Sequence, residues 1–112
     1  MRLKTIIKKI YVLEAMEIEL TKQKTFIESC MEGNTRARRS LDVKLESGLI
    51  NSEAWALKTD AIDEMLIEDE ISIENLERQI SLLQNERQGY EVDLENYTQE
   101  EIRRIKHILE LV

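Results

Sequence analysis

The feature that most constrains the fold is the absence of proline from all 112 residues. Average usage of about 5% would place roughly five or six prolines in such a chain, and proline is the strongest helix breaker. The one compact turn signal is the segment SGLINS at residues 47–52. The sequence therefore predicts two long helices: helix one over about residues 2–47, a turn at 48–51, and helix two over about 52–111.

Apolar residues recur at spacings of three, four or their sums on both sides of this turn. In helix one they are Leu3, Ile6, Ile10, Leu13, Met16, Leu20, Ile27, Met31, Leu41 and Leu45. In helix two they are Ile62, Leu66, Ile73, Leu76, Ile80, Leu83, Tyr90, Leu94 and Tyr97. Each helix thus has one apolar side that needs a partner. The predicted fold is all-α: a single domain over residues 1–112, built as an antiparallel two-helix coiled-coil hairpin of unequal helices.

The residues of the turn agree with the predicted end of helix one and start of helix two. Gly48 suits the left-handed position that follows a helix, and Asn51 suits the N-cap of the next helix. Ile50 and Trp55 have the spacing of a hydrophobic staple. For Trp55, packing at the tip of the hairpin and contact with a partner are both open interpretations. Gly33 marks a second candidate break, but the apolar pattern resumes beyond it, so we predict that helix one continues, straight or kinked.

Charge supports the pairing of the two helices. If they run antiparallel from a turn centred between residues 49 and 50, residue i lies near residue 99 minus i. The basic cluster at residues 36–39 then faces acidic residues at 60–64. The first 50 residues carry ten Lys or Arg against seven Asp or Glu, whereas the remaining 62 carry six against sixteen. Complementary helices explain much of this asymmetry.

The same alignment leaves about fourteen residues of helix two, beyond Tyr97, without a partner in helix one. This tail has an apolar stripe with basic flanks, which is typical of an interaction helix. The stripe and its flanks are Ile102, Ile105, Ile108, Leu109 and Val112 with Arg103, Arg104, Lys106 and His107. The adjoining end of helix one adds Arg2, Lys4, Lys8 and Lys9. Three fates of the stripe are open: binding to a partner, self-association, and fold-back of the last turns onto helix one.

Several function classes are not expected. Two helices offer no concavity in which catalytic groups converge, and His107 lacks a Ser or Cys partner, so we expect no enzyme, cofactor or metal site. Cys30 is expected to be a plain thiol. A pI near 4.8 opposes nucleic-acid binding. No apolar run approaches the ~20 residues of a membrane span, so we expect a cytoplasmic protein without direct membrane insertion.

A small, proline-free, unequal antiparallel hairpin with both termini at one basic end resembles the central stalk proteins of type III secretion and flagellar export ATPases, the FliJ or SctO group. In length and character the chain is most similar to the short stalk protein of Spa/Inv-type virulence secretion systems. The resemblance implies a non-catalytic protein transport component, peripheral to a membrane-embedded secretion apparatus. It would couple the hexameric export ATPase to an export-gate membrane protein.

Carried over to this chain, the resemblance implies a partner-binding surface at each end of the hairpin. On the ATPase side it comprises Lys8, Lys9, Ile102, Arg103, Arg104, Ile105, Ile108 and Leu109. On the gate side, near the turn, it comprises Leu41 and Trp55. Two alternatives keep the fold and change the function. One is a small coiled-coil export chaperone or escort that holds a secreted subunit, and the other is a dimeric scaffold protein.

Overall fold

The computed structural model describes residues 2–111, which form three helices and no strand. Helix α1 spans Leu3–Glu46, α2 spans Ser52–Leu94 and α3 spans Gln99–Ile108. The all-α prediction is confirmed. Helix α1 runs without interruption through Gly33, as predicted. None of the three helices has the length and apolar character needed to cross a membrane, as far as residues 2–111 are concerned.

The helices divide into two compact units, and the single domain predicted from the sequence stays a prediction. Unit 1 comprises the described residues up to Thr21 together with those from Arg78 onward, and unit 2 is Lys22–Glu77. Unit 1 therefore contains the first part of α1, the last part of α2 and all of α3. Unit 2 contains the remainder of α1 and α2 with the turn that joins them.

Along α1 and α2, partly or fully shielded side chains include a series with alternating steps of three and four residues. In α1 the series is Leu3, Ile6, Ile10, Leu13, Glu17, Leu20, Lys24, Ile27, Met31, Asn34, Arg38, Leu41 and Leu45. In α2 it is Trp55, Thr59, Ile62, Leu66, Asp69, Ile73, Leu76, Ile80, Leu83, Arg87, Tyr90 and Leu94. A mean step of about 3.5 residues is the repeat that keeps one side of a helix toward a partner. Apart from Met16, which is 47% exposed, the predicted apolar positions within these helices belong to the series.

Ion pairs join α1 to α2 in unit 2. Lys24 Nζ lies 3.2 Å from Glu77 Oε1, and Arg38 Nε donates to Asp63 Oδ1 at 3.0 Å. The alignment from sequence places residue 75 opposite Lys24 and residue 61 opposite Arg38, so the observed partners differ from it by two positions. The core of this unit is formed by Leu41 and Leu76, which are 9% and 8% exposed.

The turn between α1 and α2 has the predicted form. Gly48 adopts a φ of 76°, in the left-handed region. Its N–H donates to Leu45 O at 3.2 Å, and the N–H of Leu49 donates to Lys44 O at 2.9 Å. These two bonds make a Schellman motif, which satisfies carbonyls that the end of α1 leaves without partners. Asn51 caps α2, because its Oδ1 accepts from the N–H of Ala54 at 2.8 Å.

The end of helix two differs from the prediction, because α2 stops at Leu94 and a separate helix follows. The amides of residues 95–97 donate to carbonyls three residues back, which tightens the chain into a turn. Thr98 is extended, with φ −77° and ψ 156°, and caps α3. Its Oγ1 accepts from Glu101 N at 3.1 Å, while its own N–H donates to Glu101 Oε1 at 3.1 Å. This reciprocal capping box starts α3 as an independent helix.

Helix α3 packs on the first turns of α1 within unit 1. Ile102 of α3 is 8% exposed, and Ile6 and Ile7 of α1 are each 2% exposed. A small cavity of about 100 Å³ lies between the three helices. Its lining includes Ile7 from α1, Leu94 from α2, Lys106 from α3, and Leu111. Of the three fates predicted for the apolar tail, the structure shows the fold-back onto helix one. Val112 of the predicted stripe lies outside the described residues.

Candidate partner-binding surfaces

The residues predicted to bind an ATPase fall into two groups in α3 and the segment after it. Ile102 lies in the core of unit 1, and Ile105 and Leu109 are half-buried. Arg103 and Arg104 are exposed. Ile102 is therefore a structural anchor of α3 and leaves little surface for a partner, and its contact with an ATPase stays a prediction. The burial of Ile102 has a simple cause: the tail meets α1, whereas the hairpin prediction left it without an internal partner.

The outer face of α3 presents charge together with one apolar side chain. Arg103, Arg104 and His107 line an open hollow of about 470 Å³ with Glu100. Arg104 Nη2 lies 3.6 Å from Glu100 Oε1, with both side chains more than 70% exposed. Such a pair contributes little to stability and leaves the guanidinium accessible to a partner. Ile108 is 67% exposed on the same helix.

Lys8 and Lys9 are exposed on α1, as the sequence predicts. Lys9 Nζ lies 5.7 Å from the centroid of the Tyr90 ring, within range of a cation–π contact. The first turn of α1 contains no acidic residue. The positive end of the helix dipole therefore adds to the charge of Arg2 and Lys4 instead of being neutralised.

An open groove runs between α1 and α2 in unit 1. Its first part has a volume of about 620 Å³ and its second about 400 Å³, and Met16 and Leu83 line both parts. The other lining residues are Arg2, Lys4, Thr5, Lys8, Lys9, Val12, Leu13, Glu86 and Tyr90 in the first part. In the second part they are Glu19, Leu20, Gln79 and Leu82. The groove therefore combines an apolar floor with a basic rim in its first part.

The two residues predicted for the gate side have different surroundings in unit 2. Leu41 is 9% exposed and belongs to the core, so it offers little surface, and its role as a partner contact stays a prediction. Trp55 is half-buried and its indole Nε1 donates to Asp42 Oδ1 at 2.9 Å. Of the two interpretations of Trp55, packing within the protein thus has direct support, while its exposed edge stays available to a partner.

Arg38 holds the cluster around Trp55 together. Its guanidinium carbon lies 5.1 Å from the centroid of the Trp55 ring, and its nitrogens bond to Asp63 and Asp42. The hydrogen bond that Arg38 donates to Asp63 is the main cause that raises the pKa of Arg38 above its ordinary value, and the charge of Asp42 adds to it. The cluster restrains the indole ring in two ways, since Asp42 accepts the hydrogen bond from Nε1 and Arg38 lies over the ring.

Sequence reasoning missed a group of exposed apolar side chains near the turn. Leu49 and Leu57 are 75% and 76% exposed, and Val43 is 61% exposed. Leu57 and Val43 stand outside the alternating series of their helices, which was a readable signal that they do not face the seam. Exposed large apolar residues of this kind are candidates for contact with a partner.

A second polar pair lies on the seam of unit 1. Arg87 donates to Glu17 through Nε at 2.6 Å and through Nη2 at 3.1 Å. The Glu17 side chain is only 12% exposed. The hydrogen bonds of Glu17 and then of Glu91 raise the pKa of Arg87 well above its ordinary value. This bidentate pair satisfies both charges at the seam, so it positions the two helices.

Within residues 2–111, no group of three or more His, Cys, Asp or Glu side chains is arranged to hold a metal ion. Cys30 is a free, exposed thiol. No protein-family model, no curated protein and no solved structure matches the chain.

Proposed function

We propose that the chain is a non-catalytic central stalk protein of a type III secretion export apparatus, in which it couples a hexameric export ATPase to the membrane export gate. The proposal includes an antiparallel coiled-coil hairpin formed by α1 and α2. The alternating series in both helices supports this pairing. The ion pairs Glu17–Arg87 and Arg38–Asp63 support it as well, because each joins one long helix to the other.

The observation that carries the proposal is the accumulation of exposed cations from both parts of the chain in unit 1. Lys8 and Lys9 come from α1, and Arg103 and Arg104 come from α3. The chain as a whole has a formal net charge of −7, but the sequence segments of unit 1 carry nine Lys or Arg against ten Asp or Glu, so most of the negative charge lies outside unit 1. Clustered cations attract acidic surfaces and accelerate association with them. In the stalk function, this surface binds the ATPase.

The ATPase-binding surface consists of the outer face of α3 together with Lys8 and Lys9 of the same unit. Ile108 supplies exposed apolar area and Ile105 and Leu109 supply their accessible edges. Ile102 fastens α3 to unit 1 and so presents this face in a fixed orientation. A pre-ordered surface loses less conformational entropy on binding than a free tail would. Binding then requires no detachment of α3.

The gate side is assigned to the surface near the turn. Trp55, with its ring held by Arg38 and Asp42, offers its exposed edge, and Leu49 and Leu57 offer apolar area. The chain performs no chemistry in this function. Its contribution is to bind two partners through separate surfaces so that the state of the ATPase influences the gate.

Binding to the cognate export ATPase tests the proposal. Tagged full-length protein is titrated with the purified ATPase, and with the cytosolic part of the gate protein in parallel, while binding and the ATP hydrolysis rate are measured. The double variant Arg103→Glu/Arg104→Glu is expected to weaken ATPase binding by about tenfold or more, with a strong dependence on salt. The matched control Lys44→Glu/Lys58→Glu reverses two exposed cations of unit 2 and should bind the ATPase normally.

Failure of the wild-type protein to bind the ATPase would refute the stalk function. Two other results would identify the alternatives. Recovery of a secreted subunit bound to this chain in a one-to-one ratio, without the ATPase, would establish the chaperone or escort. A stable homodimer that binds neither would establish the dimeric scaffold.

A further inference from the structure

We infer that the open groove between α1 and α2 in unit 1 is a docking site for a single acidic amphipathic helix of another protein. The inference shares Lys8 and Lys9 with the proposed function and depends on it only for the identity of the partner. It goes beyond that function because it specifies the secondary structure, the charge and the position of what binds.

The dimensions of the groove suit one helix. Along α1 its lining extends from Arg2 to Leu20. At 1.5 Å per residue this is about 27 Å, or roughly five helical turns. The two adjoining hollows of about 620 and 400 Å³ share Met16 and Leu83, so they form one continuous depression. A partner helix of about 18 residues would span it.

The floor of the groove is apolar and uncovered. Val12 is 54% exposed, Met16 is 47% exposed and Leu82 is 63% exposed. All three line the groove, with Leu13 and Leu83 between them. Grouped exposed apolar side chains beside polar residues are typical of a helix-binding groove, in which side chains of the bound helix at three- and four-residue spacings fill the hollow.

Helix α3 shows how a helix packs beside α1 and α2. At about 100° per residue, Ile7 and Glu14 lie about 90° to one side of the α1 seam defined by Ile6, Ile10 and Leu13. These two residues bound the small cavity between α3 and the long helices. Met16 and Val12, which line the open groove, lie about 90° and about 125° to the other side of the seam. One flank of the helix pair in unit 1 is thus covered by an amphipathic helix, and the other flank is open.

The charge of the rim selects an acidic occupant. Arg2, Lys4, Lys8 and Lys9 line the first part of the groove, and among residues 2–111 none of them forms an ion pair. The opposing acid there is Glu86 alone. The positive end of the α1 dipole acts in the same direction. The second part has no cation and contains Glu19, so the acids of the bound helix should be concentrated in one half.

The same charges disfavour α3 of a second copy as the occupant. Its exposed face carries Arg103 and Arg104, which would oppose the cations of the rim. Like charges brought together in an interface cost free energy that an apolar contact has to offset. An acidic helix from another protein satisfies the floor and the rim together.

The test uses a defined probe and full-length protein. The probe is a synthetic, fluorescein-labelled 18-residue peptide with Leu along one helical face and glutamates concentrated in one half. One control peptide has the same composition in scrambled order. A second control peptide has Lys in place of each Glu. Fluorescence anisotropy should show binding of the acidic amphipathic peptide alone, with affinity that falls steeply as NaCl rises from 50 to 300 mM.

Variants locate the peptide on the protein. Met16→Asp should weaken binding by about tenfold or more, because it places a carboxylate in the apolar floor opposite an acidic ligand. Ile18→Asp is the matched control, since Ile18 is 57% exposed on the same helix outside the groove lining. Lys4→Glu/Lys8→Glu should abolish the salt dependence, whereas Lys44→Glu/Lys58→Glu should not. Circular dichroism verifies that each variant is folded.

Equal binding of the scrambled peptide, absence of binding, or binding that Met16→Asp leaves unchanged would overturn the inference. A second copy of the chain is the competing occupant, and sedimentation measures self-association of the wild-type protein. Self-association that Met16→Asp abolishes would assign the groove to a second copy and would also overturn the inference. Failure to bind the export ATPase refutes the proposed function without affecting the peptide result. Conversely, a negative peptide result leaves ATPase binding through α3 intact, so the two failures are distinguishable.

Discussion

Units 1 and 2 are built from the same two long helices but are stabilised in different ways. Unit 1 has α3 and buries Ile6, Ile7, Leu13 and Ile102. Unit 2 has two helices only, and its buried side chains lie on the alternating seam. Ile7 stands outside that seam and is buried in unit 1 because a third helix covers it. The comparison teaches that two helices bury a single row of side chains, whereas a third helix adds a second row.

Unit 2 relies more on polar contacts. Arg38 joins Asp63 of α2 to Asp42 of its own helix and covers the Trp55 ring. Thr59 is 3% exposed at a seam position, where its Oγ1 donates to Trp55 O at 2.8 Å and so satisfies its hydroxyl. Exposed and half-exposed ion pairs give modest stability but restrict which residues can face each other. Unit 1 should therefore respond most to loss of apolar volume, and unit 2 to changes in backbone and charge.

The largest expected effect is that of Ile7→Ala in unit 1. The side chain is 2% exposed, so its truncation leaves a cavity and should lower the free energy of unfolding by about 2–5 kcal/mol. Ile18→Ala, at a position that is 57% exposed, should change it by less than about 0.5 kcal/mol. Urea denaturation followed by circular dichroism measures both. Similar values for the two variants would mean that α3 contributes no second row of buried side chains.

A smaller effect is expected for Thr98→Ala, which removes the N-cap of α3. The loss of the bond to Glu101 N should cost about 1 kcal/mol, and it should be felt locally. Amide hydrogen exchange in α3 should accelerate, while exchange in the α2 segment of unit 2 stays unchanged. Thr98→Ser keeps the hydroxyl and serves as the control. Faster exchange throughout the chain would contradict the independence of α3 from unit 2.

Glycine substitutions in unit 2 should have effects of about 1 kcal/mol or less and of opposite sign. Gly33 lies inside α1 with no atom within 4 Å of an added Cβ, so Gly33→Ala should stabilise by about 0.5–1 kcal/mol. Gly48 has a φ of 76°, which alanine adopts at a cost of about 1 kcal/mol, so Gly48→Ala should destabilise. Thermal unfolding measures both shifts. Destabilisation by Gly33→Ala would show that the helix needs flexibility there.

The smallest effect on stability is expected for Arg38→Gln, because the arginine lies in a solvent-screened cluster. Its spectroscopic effect should be clear. The Trp55 ring loses the guanidinium that covers it, so its fluorescence should shift and become easier to quench with iodide or acrylamide. Arg87→Gln, in unit 1, should leave the tryptophan signal unchanged. An identical spectrum for wild type and Arg38→Gln would show that the cluster does not order the indole in solution.

The sequence predicts the turn of unit 2 well because its signals are local. Gly48 and Asn51 each suit one backbone position, and both occupy it. The break before α3 has no glycine or proline, and the apolar pattern continues through Tyr97, so periodicity alone predicts one longer helix. A local signal was present all the same, since Thr98 and Glu101 have the spacing of a capping box.

The candidate surfaces are predictable only in part. Exposure of Lys8, Lys9 and Arg103 follows from charge and helical position. The burial of Ile102 and Ile7 depends on a contact between parts of the chain about 95 residues apart, which periodicity does not encode. For the same reason, the sequence does not predict the groove. It is defined by which flank of the helix pair α3 covers, and that choice is made by tertiary packing.

The fold-back of α3 has a consequence for synthesis on the ribosome. Ile102 is translated about 95 residues after Ile6 and Ile7, whose burial it completes. At about 5–20 residues per second, this interval lasts roughly 5–20 s. Throughout it, the apolar start of α1 has no covering helix, and nascent chains are then most open to capture by chaperones. A helix that is translated late thus covers residues that were translated early.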